Sequence, residues 1–448
     1  MTDQIILPFG RRFRNPCSRP AIVLFLIVFL FLISAAHVSA DDAMFRANPE
    51  HTGVYGNGGT EPGNSELWHF ATGGFVYSSP TVASGIVYVG SDDKNLYAIN
   101  AVTGNVKWKF ATGDPVYTSP TIAEGAVFVG SEDKNLYAVD AVTGTEKWKF
   151  VMGGWVYSSP AVADGVVYVG SSDNNLYAID AITGKEKWKF ATGDYVDSSP
   201  TVADGVVYVG SSDKNLYAID AITGKEKWKY PMGARSGSSP AVADGVVYIG
   251  CEDKNLYAVD AATGKEKWRF ATGDWVDSSP AVADGVVYIG SRDKNLYAID
   301  AATGTEKWEF PTGDRIVSSP AVADGVVYVG SRDKNLYAID AATGTEKWRF
   351  VTGEWVDSSP SISNGVVYVG SNDKNLYAIG TNTVALTTVP TTTRVTDTGT
   401  PTSRATTATT AITTTTAPVQ QTTQPAPIQY ALPLAIIAAA GIAMLKRP

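Results

Sequence analysis

Little in this chain suits metal or redox chemistry. Its 448 residues hold two cysteines, Cys17 and Cys251, and three histidines, His37, His51 and His69. Two cysteines exclude a disulfide framework, a cysteine-rich zinc site and an iron–sulfur centre, and three dispersed histidines leave few ligands for any other metal. Cationic runs are also missing. Lys+Arg of 36 against Asp+Glu of 45 leaves a net charge of −9, with no basic cluster outside the termini. A grip on phosphate backbones needs such clusters, so nucleic acid is excluded as a partner. What is abundant is Gly at 43, Tyr at 22 and Trp at 11, a composition of turns and short aromatic strands rather than of a helical enzyme. With 44% hydrophobic residues the chain can bury an ample core.

The long apolar runs lie at the two ends. Residues 1–40 place Arg11, Arg12, Arg14 and Arg19 before an apolar stretch at 21–36 and a Val38-Ser39-Ala40 site, the layout of a secretory signal peptide. Residues 41–60 follow as an N-terminal extension. Residues 381–428 turn abruptly to Thr, Ala, Pro and Gln, which cannot bury a core and read as an extended, hydroxyl-rich stalk. The last segment, 429–448, holds an apolar run at 430–445 closed by Lys446-Arg447. As a helix that run would reach about 24 Å against a hydrocarbon core of about 30 Å, so it reads as a short membrane anchor or a cleavable sorting tail, basic end in the cytoplasm. Stalk, greasy segment and terminal arginine together resemble the C-terminal sorting signals of prokaryotic, particularly archaeal, surface proteins. The expectation is an exported, monomeric protein held at the cell surface by its C-terminus.

Everything between is periodic. Trp68, Trp108, Trp148, Trp188, Trp228, Trp268, Trp308 and Trp348 recur every 40 residues, as do Pro80, Pro120, Pro160, Pro200, Pro240, Pro280, Pro320 and Pro360. A unit of that size fits a helical pair or a four-stranded propeller blade. In one copy, runs at 199–203, 206–209, 216–219 and 226–230 are β-prone and separated by turn residues such as Asp204-Gly205 and Thr223-Gly224. Windows this short carry no helical period, and glycines would cost a helix about 1 kcal/mol each. Each unit therefore reads as four strands. The first, with its proline and small residues, suits an edge at the crowded centre of a propeller; the fourth, alternating Lys227, Trp228, Lys229 and Tyr230, suits the outside. A Trp-bearing fourth strand precedes the first unit and the last unit lacks one, so the N-terminal strand is expected to complete the final blade. The predicted fold is all-β: an eight-bladed β-propeller of four-stranded blades over 61–380, flanked by signal peptide, stalk and hydrophobic segment.

Ala138-x-Asp140-x-x-Thr143-Gly144-x-x-x-Trp148 and its copies resemble the tryptophan-docking motif of the PQQ-type propeller family, which includes quinoprotein dehydrogenases and BamB-like assembly scaffolds. The motif departs at Asn100, which replaces Asp, and fails at Gly380. The resemblance implies that each repeated Trp docks between neighbouring blades. It also raises a PQQ-dependent oxidoreductase, which would require a vicinal cysteine pair, a calcium site and an aspartate base. One cysteine beyond the signal segment cannot make that pair, so no cofactor is expected. Cys251 stands where other copies carry serine (Ser91, Ser131, Ser171) and reads as a tolerated small residue; Asp197, Asp277 and Asp357 read as solvated loop carboxylates.

The copies differ in a few columns. One is Phe75, Pro115, Trp155, Tyr195, Arg235, Trp275, Arg315 and Trp355; two residues on lie Tyr77, Tyr117, Tyr157, Asp197, Gly237, Asp277, Val317 and Asp357. A third runs Asp92, Glu132, Ser172, Ser212, Glu252, Arg292, Arg332 and Asn372. In an up-and-down blade these loops emerge on one face, the near-constant Asp-Gly and Thr-Gly turns on the other. Neutral drift on exposed loops would yield mostly small polar residues, not Phe75, Trp155, Tyr195, Trp275 and Trp355. These aromatics are the candidate binding residues, for a glycan or a protein hot spot, with plugging of the channel mouth as the structural alternative. Arg292, Arg315 and Arg332 come from adjacent blades and form a second candidate, for a carboxylate or phosphate, against the simpler reading of a solvated rim. The expected function is a surface-tethered, non-catalytic binding or scaffold module; a quinoprotein oxidoreductase and a membrane-protein assembly scaffold are the alternatives.

Overall fold

The computed structural model describes residues 43–56 and 61–381. The expected signal peptide, stalk and C-terminal anchor or sorting tail lie outside the described residues. Thirty-two strands, numbered in chain order, form eight four-stranded antiparallel sheets, with no helix among the described residues. The first blade is β2 (Thr81–Ala83), β3 (Ile86–Ser91), β4 (Asn95–Asn100) and β5 (Val106–Ala111), and the same order repeats in each copy.

Local chemistry explains the breaks. Asp204 and Gly205 hold φ of 49° and 71°, the pair of positive values that a two-residue primed hairpin turn demands. Between the third and fourth strands, Asp140 Oδ1 accepts from the backbone N–H of Thr143 at 2.9 Å and from the Thr143 hydroxyl at 2.9 Å, before Gly144 turns the chain. Asn100 makes the same bonds through its own Oδ1, so the Asp-to-Asn departure loses no contact.

The ring closes as the strand count requires. The last sheet is β30 (Ser361–Ser363), β31 (Val366–Gly370), β32 (Asn375–Gly380) and then β1 (Ser65–Ala71), with Trp68 opposite Ala378 and His69 opposite Tyr377. Three layers of contact join blade to blade. Innermost, the N–H of Ser79 donates to Ser119 Oγ, and this bond repeats through Ser159, Ser199, Ser239, Ser279, Ser319 and Ser359 back to Ser79, at 2.9 to 3.0 Å. In the middle, each apolar cluster spans two blades; Phe128 and Leu136 of one pack with Val167 and Ile179 of the next. Outermost, Trp108 Nε1 donates to Ala141 O at 3.1 Å and its ring lies so close to Gly144 that a Cβ there would fall 2.6 Å from it. Trp68, Trp148, Trp188, Trp228, Trp268 and Trp308 donate in the same way to the equivalent alanine of the following blade. Trp348 meets the blade whose turn motif fails, and donates instead to Pro62 O at 3.0 Å. At that seam the buried Tyr328 hydroxyl has no partner among the described residues.

The N-terminal extension does something its sequence does not announce: it fills the channel. Ala43 exchanges both backbone bonds with Ile122 of the second blade. The inner-strand N–H groups of Val202, Val242, Val282 and Val322 then donate to the carbonyls of Pro49, Glu50, Thr52 and Gly53 at 2.8 to 2.9 Å. Inner edges that would otherwise leave buried donors unpaired are thus satisfied by one crossing segment. Arg46 is buried and donates to the carbonyls of His51, Ser279 and Pro280. Burial lowers its pKa to about 10, so it stays charged at neutral pH. His51 is also buried, and the Thr201 hydroxyl, which donates to Pro240 O, can only accept from His51 Nδ1. Burial first and Arg46 second push its pKa down to about 3, which keeps the ring neutral. Thr52 and Val54 lie beside Asp284, Asp324 and Gly325, which puts this plug at the Asp-Gly end of the channel.

Candidate functional site

The opposite face carries the variable columns. Its two loop classes are zipped together: the N–H groups of Asp92, Ser172 and Asn372 donate to the carbonyls of Phe75, Trp155 and Trp355, each at 2.9 Å. Diverse side chains therefore share one rim, set on backbone that is the same from copy to copy. Phe75, Trp155, Tyr195 and Trp355 are 39–49% exposed, whereas Trp275 is half-buried.

Side chains of the rim complement one another across blades. The Tyr117 hydroxyl donates to Asp92 at 2.9 Å and the Tyr157 hydroxyl to Glu132 at 2.6 Å, each reaching back to the preceding blade. Ser172 donates to Asp197 at 3.2 Å and Arg332 to Asp357 at 2.9 Å over the same 25-residue offset. Where that offset would oppose Glu252 to Asp277, each acid pairs within its own blade, Glu252 with Arg235 and Asp277 with Arg292. Tyr77, Tyr117 and Tyr157 form an aromatic arc at the mouth, with ring centroids 5.4 and 6.0 Å apart.

One sequence-based expectation changes here. Asp277 and Asp357 are not solvated: their side chains are 14% and 6% exposed, because the loop turns them inward toward arginines. Burial pushes the Asp277 carboxyl upward, offset in part by Arg292, and burial likewise raises Asp197. Two of the three rim arginines are engaged by neighbouring side chains, while the backbone N–H of Arg332 donates to Arg315 O at 3.1 Å. Arg292 lies 4.4 Å over the Trp275 ring and Arg332 4.6 Å over the Trp355 ring, each also bound to its aspartate. Arg315 alone of the three has no side-chain partner among the described residues.

A pocket of about 370 Å³ opens where the last blade meets the first, lined by Phe75, Tyr77, Glu354, Trp355 and Asn372. Tyr77 and Asn372 stand in variable columns, but nothing in one sequence marks the pocket they share. Cys251 lies outside this chemistry. It is buried, its thiol donates to Ala234 O at 3.2 Å as Ser211 does to Asp194 O, and burial pushes its pKa up to about 12. It is a serine substitute with no thiolate at neutral pH.

No curated protein sequence matches the chain. Solved structures that share the fold include BamB from Moraxella catarrhalis, at TM-score 0.63 and 17% identity, covering 71% of this chain and 100% of that one. A europium-containing methanol dehydrogenase matches at TM-score 0.67 and 15% identity, over 77% and 99% of the two chains. The quinohemoprotein alcohol dehydrogenase from Comamonas testosteroni matches at 0.66 and 18%, over 76% and 80%. Identities this low establish shared architecture and leave function open. The family profile described as outer membrane protein assembly factor BamB matches residues 60–154, 152–272, 223–317 and 311–417, and the chain therefore belongs to this family of PQQ-like propellers.

Proposed function

We propose that the chain is a non-catalytic binding propeller, exported through residues 1–40 and held at the cell surface by residues 429–448, that engages a glycan or a protein through its variable face. One observation carries this reading: Phe75, Trp155, Tyr195 and Trp355 are all exposed on the face that carries the most variable loop columns. Exposed aromatics of that kind favour contact with sugar rings or with a protein hot spot. The plug lies at the Asp-Gly end of the channel, on the side away from the variable face. Gly380 pairs with Val366, next to the Asn364-Gly365 turn, so the described chain also ends on the side away from the rim. A partner protein is in keeping with the name of the family, that of an assembly factor.

The donor groups of the rim do not fit a quinone and its calcium. Asp277 and Asp357 are committed to arginines, Asp197 is bound to Ser172, and Cys251 is single and buried. The test is a screen of the full-length chain against glycans and surface proteins, repeated with Trp155, Trp275 and Trp355 all changed to Ala. Loss of at least about tenfold in affinity is expected. Undiminished binding, or dye-linked alcohol oxidation after addition of PQQ and Ca²⁺, would contradict the reading.

A further inference from the structure

The outer edges of the eight blades are not alike. Each Trp-bearing strand is the outermost of its sheet, so alternate residues present backbone N–H and C=O groups with no further strand beside them among the described residues. In six of the other seven blades the residues on either side of the docking Trp are both cationic, as Lys187 and Lys189 are beside Trp188. In the seventh, β25 (Glu306–Pro311), they are Lys307 and Glu309, and the strand ends in proline. The strand that closes the ring differs. β1 carries Leu67 and His69 around Trp68, with no lysine, arginine or proline anywhere in Ser65–Ala71. Glu66, Leu67, His69 and Ala71 are all exposed, Leu67 at 38%.

An unprotected edge accepts another strand, and the occupant this one fits is a second copy of the chain. Two identical edges related by a two-fold axis pair antiparallel. With the axis at Trp68, Leu67 stands opposite the partner's His69, and Glu66 comes beside that same His69, the residue type it already holds within its own chain at 2.7 Å. The same pairing on a cationic edge would set Lys187 against the partner's Lys189, and like charges placed opposite one another repel. On β25 Pro311 removes a backbone donor. Only β1 meets neither obstacle. We propose that β1 pairs with β1 of a second copy, joining the two closing blades in one continuous sheet, in place of the monomer expected from the sequence. β1 runs from Ser65, beside Gly380 on the Asp-Gly side, to Ala71 at the rim side, so antiparallel pairing turns one disk over and points the two variable rims in opposite directions. A contact confined to one strand edge is small, and the dimer should dissociate on dilution.

The test is sedimentation velocity of the full-length chain over a range of concentrations. A monomer–dimer equilibrium is expected, and Leu67→Lys combined with His69→Lys should weaken it at least about tenfold. Both changes install residues that other blades carry at the same places, so the fold is kept. Leu67→Glu combined with His69→Glu should weaken it as much, and mixing the two double variants should restore pairing, an outcome that loss of folding cannot produce. A monomer at every concentration, a dimer indifferent to the lysine variant, or two variants that stay apart when mixed would overturn the proposal. Self-association that survives in both variants would belong to the C-terminal apolar segment instead, and would overturn it as well.

Discussion

The two faces of the disk are made by the same strands and obey different rules. On the Asp-Gly face every copy turns with nearly the same residues, because each turn must adopt positive φ, and five of the inner edges beside these turns pair with the plug. On the other face the backbone is equally constant, through the bonds from Asp92 to Phe75 and its equivalents, yet the side chains differ from blade to blade. A repeated packing duty holds residues alike; a position free of that duty can take up local pairings such as Tyr117 with Asp92 or Arg332 with Asp357. Stability should therefore reside at the plug and between blades, and recognition at the rim.

Breaking the plug should have the largest effect. Arg46→Ala leaves three buried carbonyls without their charged donor, and a loss of about 4 kcal/mol is expected in chemical unfolding, with 43–56 becoming open to protease. Trp188→Ala removes an inter-blade dock and its bond to Ala221 O, and should cost about 3 kcal/mol by the same measurement. At the rim, Arg332→Ala strands the nearly buried Asp357 and should cost about 2 kcal/mol. Arg315→Ala, with no partner to strand, should stay within about 0.5 kcal/mol in thermal unfolding.

Acid sharpens the same contrast more gently. The native His51 ring stays neutral down to about pH 3, whereas in the unfolded chain it takes up a proton near 6.5. Between those values the unfolded state binds the extra proton, so stability is full above pH 6.5 and falls as pH is lowered, by up to about 1.4 kcal/mol per unit. The stabilisation from turn carboxylates such as Asp140 and Asp220, held low by Thr143 and Thr223, is lost as the pH falls through and below their ordinary value of 3.8. Unfolding free energies at pH 4, 5, 6 and 7 should show the slope in the wild-type chain and a flatter one in His51→Gln.

Much of the ring was legible in the sequence because each blade states its needs afresh. Trp148 needs the turn opened by Asp180 and closed by Gly184, and the 40-residue recurrence makes that need visible; counting strands even revealed that Glu66 to Phe70 must pair with the last blade. The plug was not legible, because 43–56 occurs once and bonds mainly through backbone carbonyls that any residue possesses. Its two informative side chains, Arg46 and His51, belong to no repeat or motif that would mark them before the channel around them is known. At the rim the aromatic columns were visible, but the 25-residue partnership of Glu132 with Tyr157 has meaning only once adjacent blades are brought together. For the same reason Asp277 and Asp357 were read as solvated.

Backbone amide exchange of Ser65–Ala71 tests closure of the ring most directly, since this strand has no sequence neighbour in its own blade and pairs only with Asn375–Gly380. If eight blades surround one axis, the amides of Trp68 and Phe70 exchange as slowly as those of Trp108 and Phe110 in Val106–Ala111. Exchange of Ser65–Ala71 at the rate of an unpaired segment, with Val106–Ala111 still protected, would contradict a closed ring.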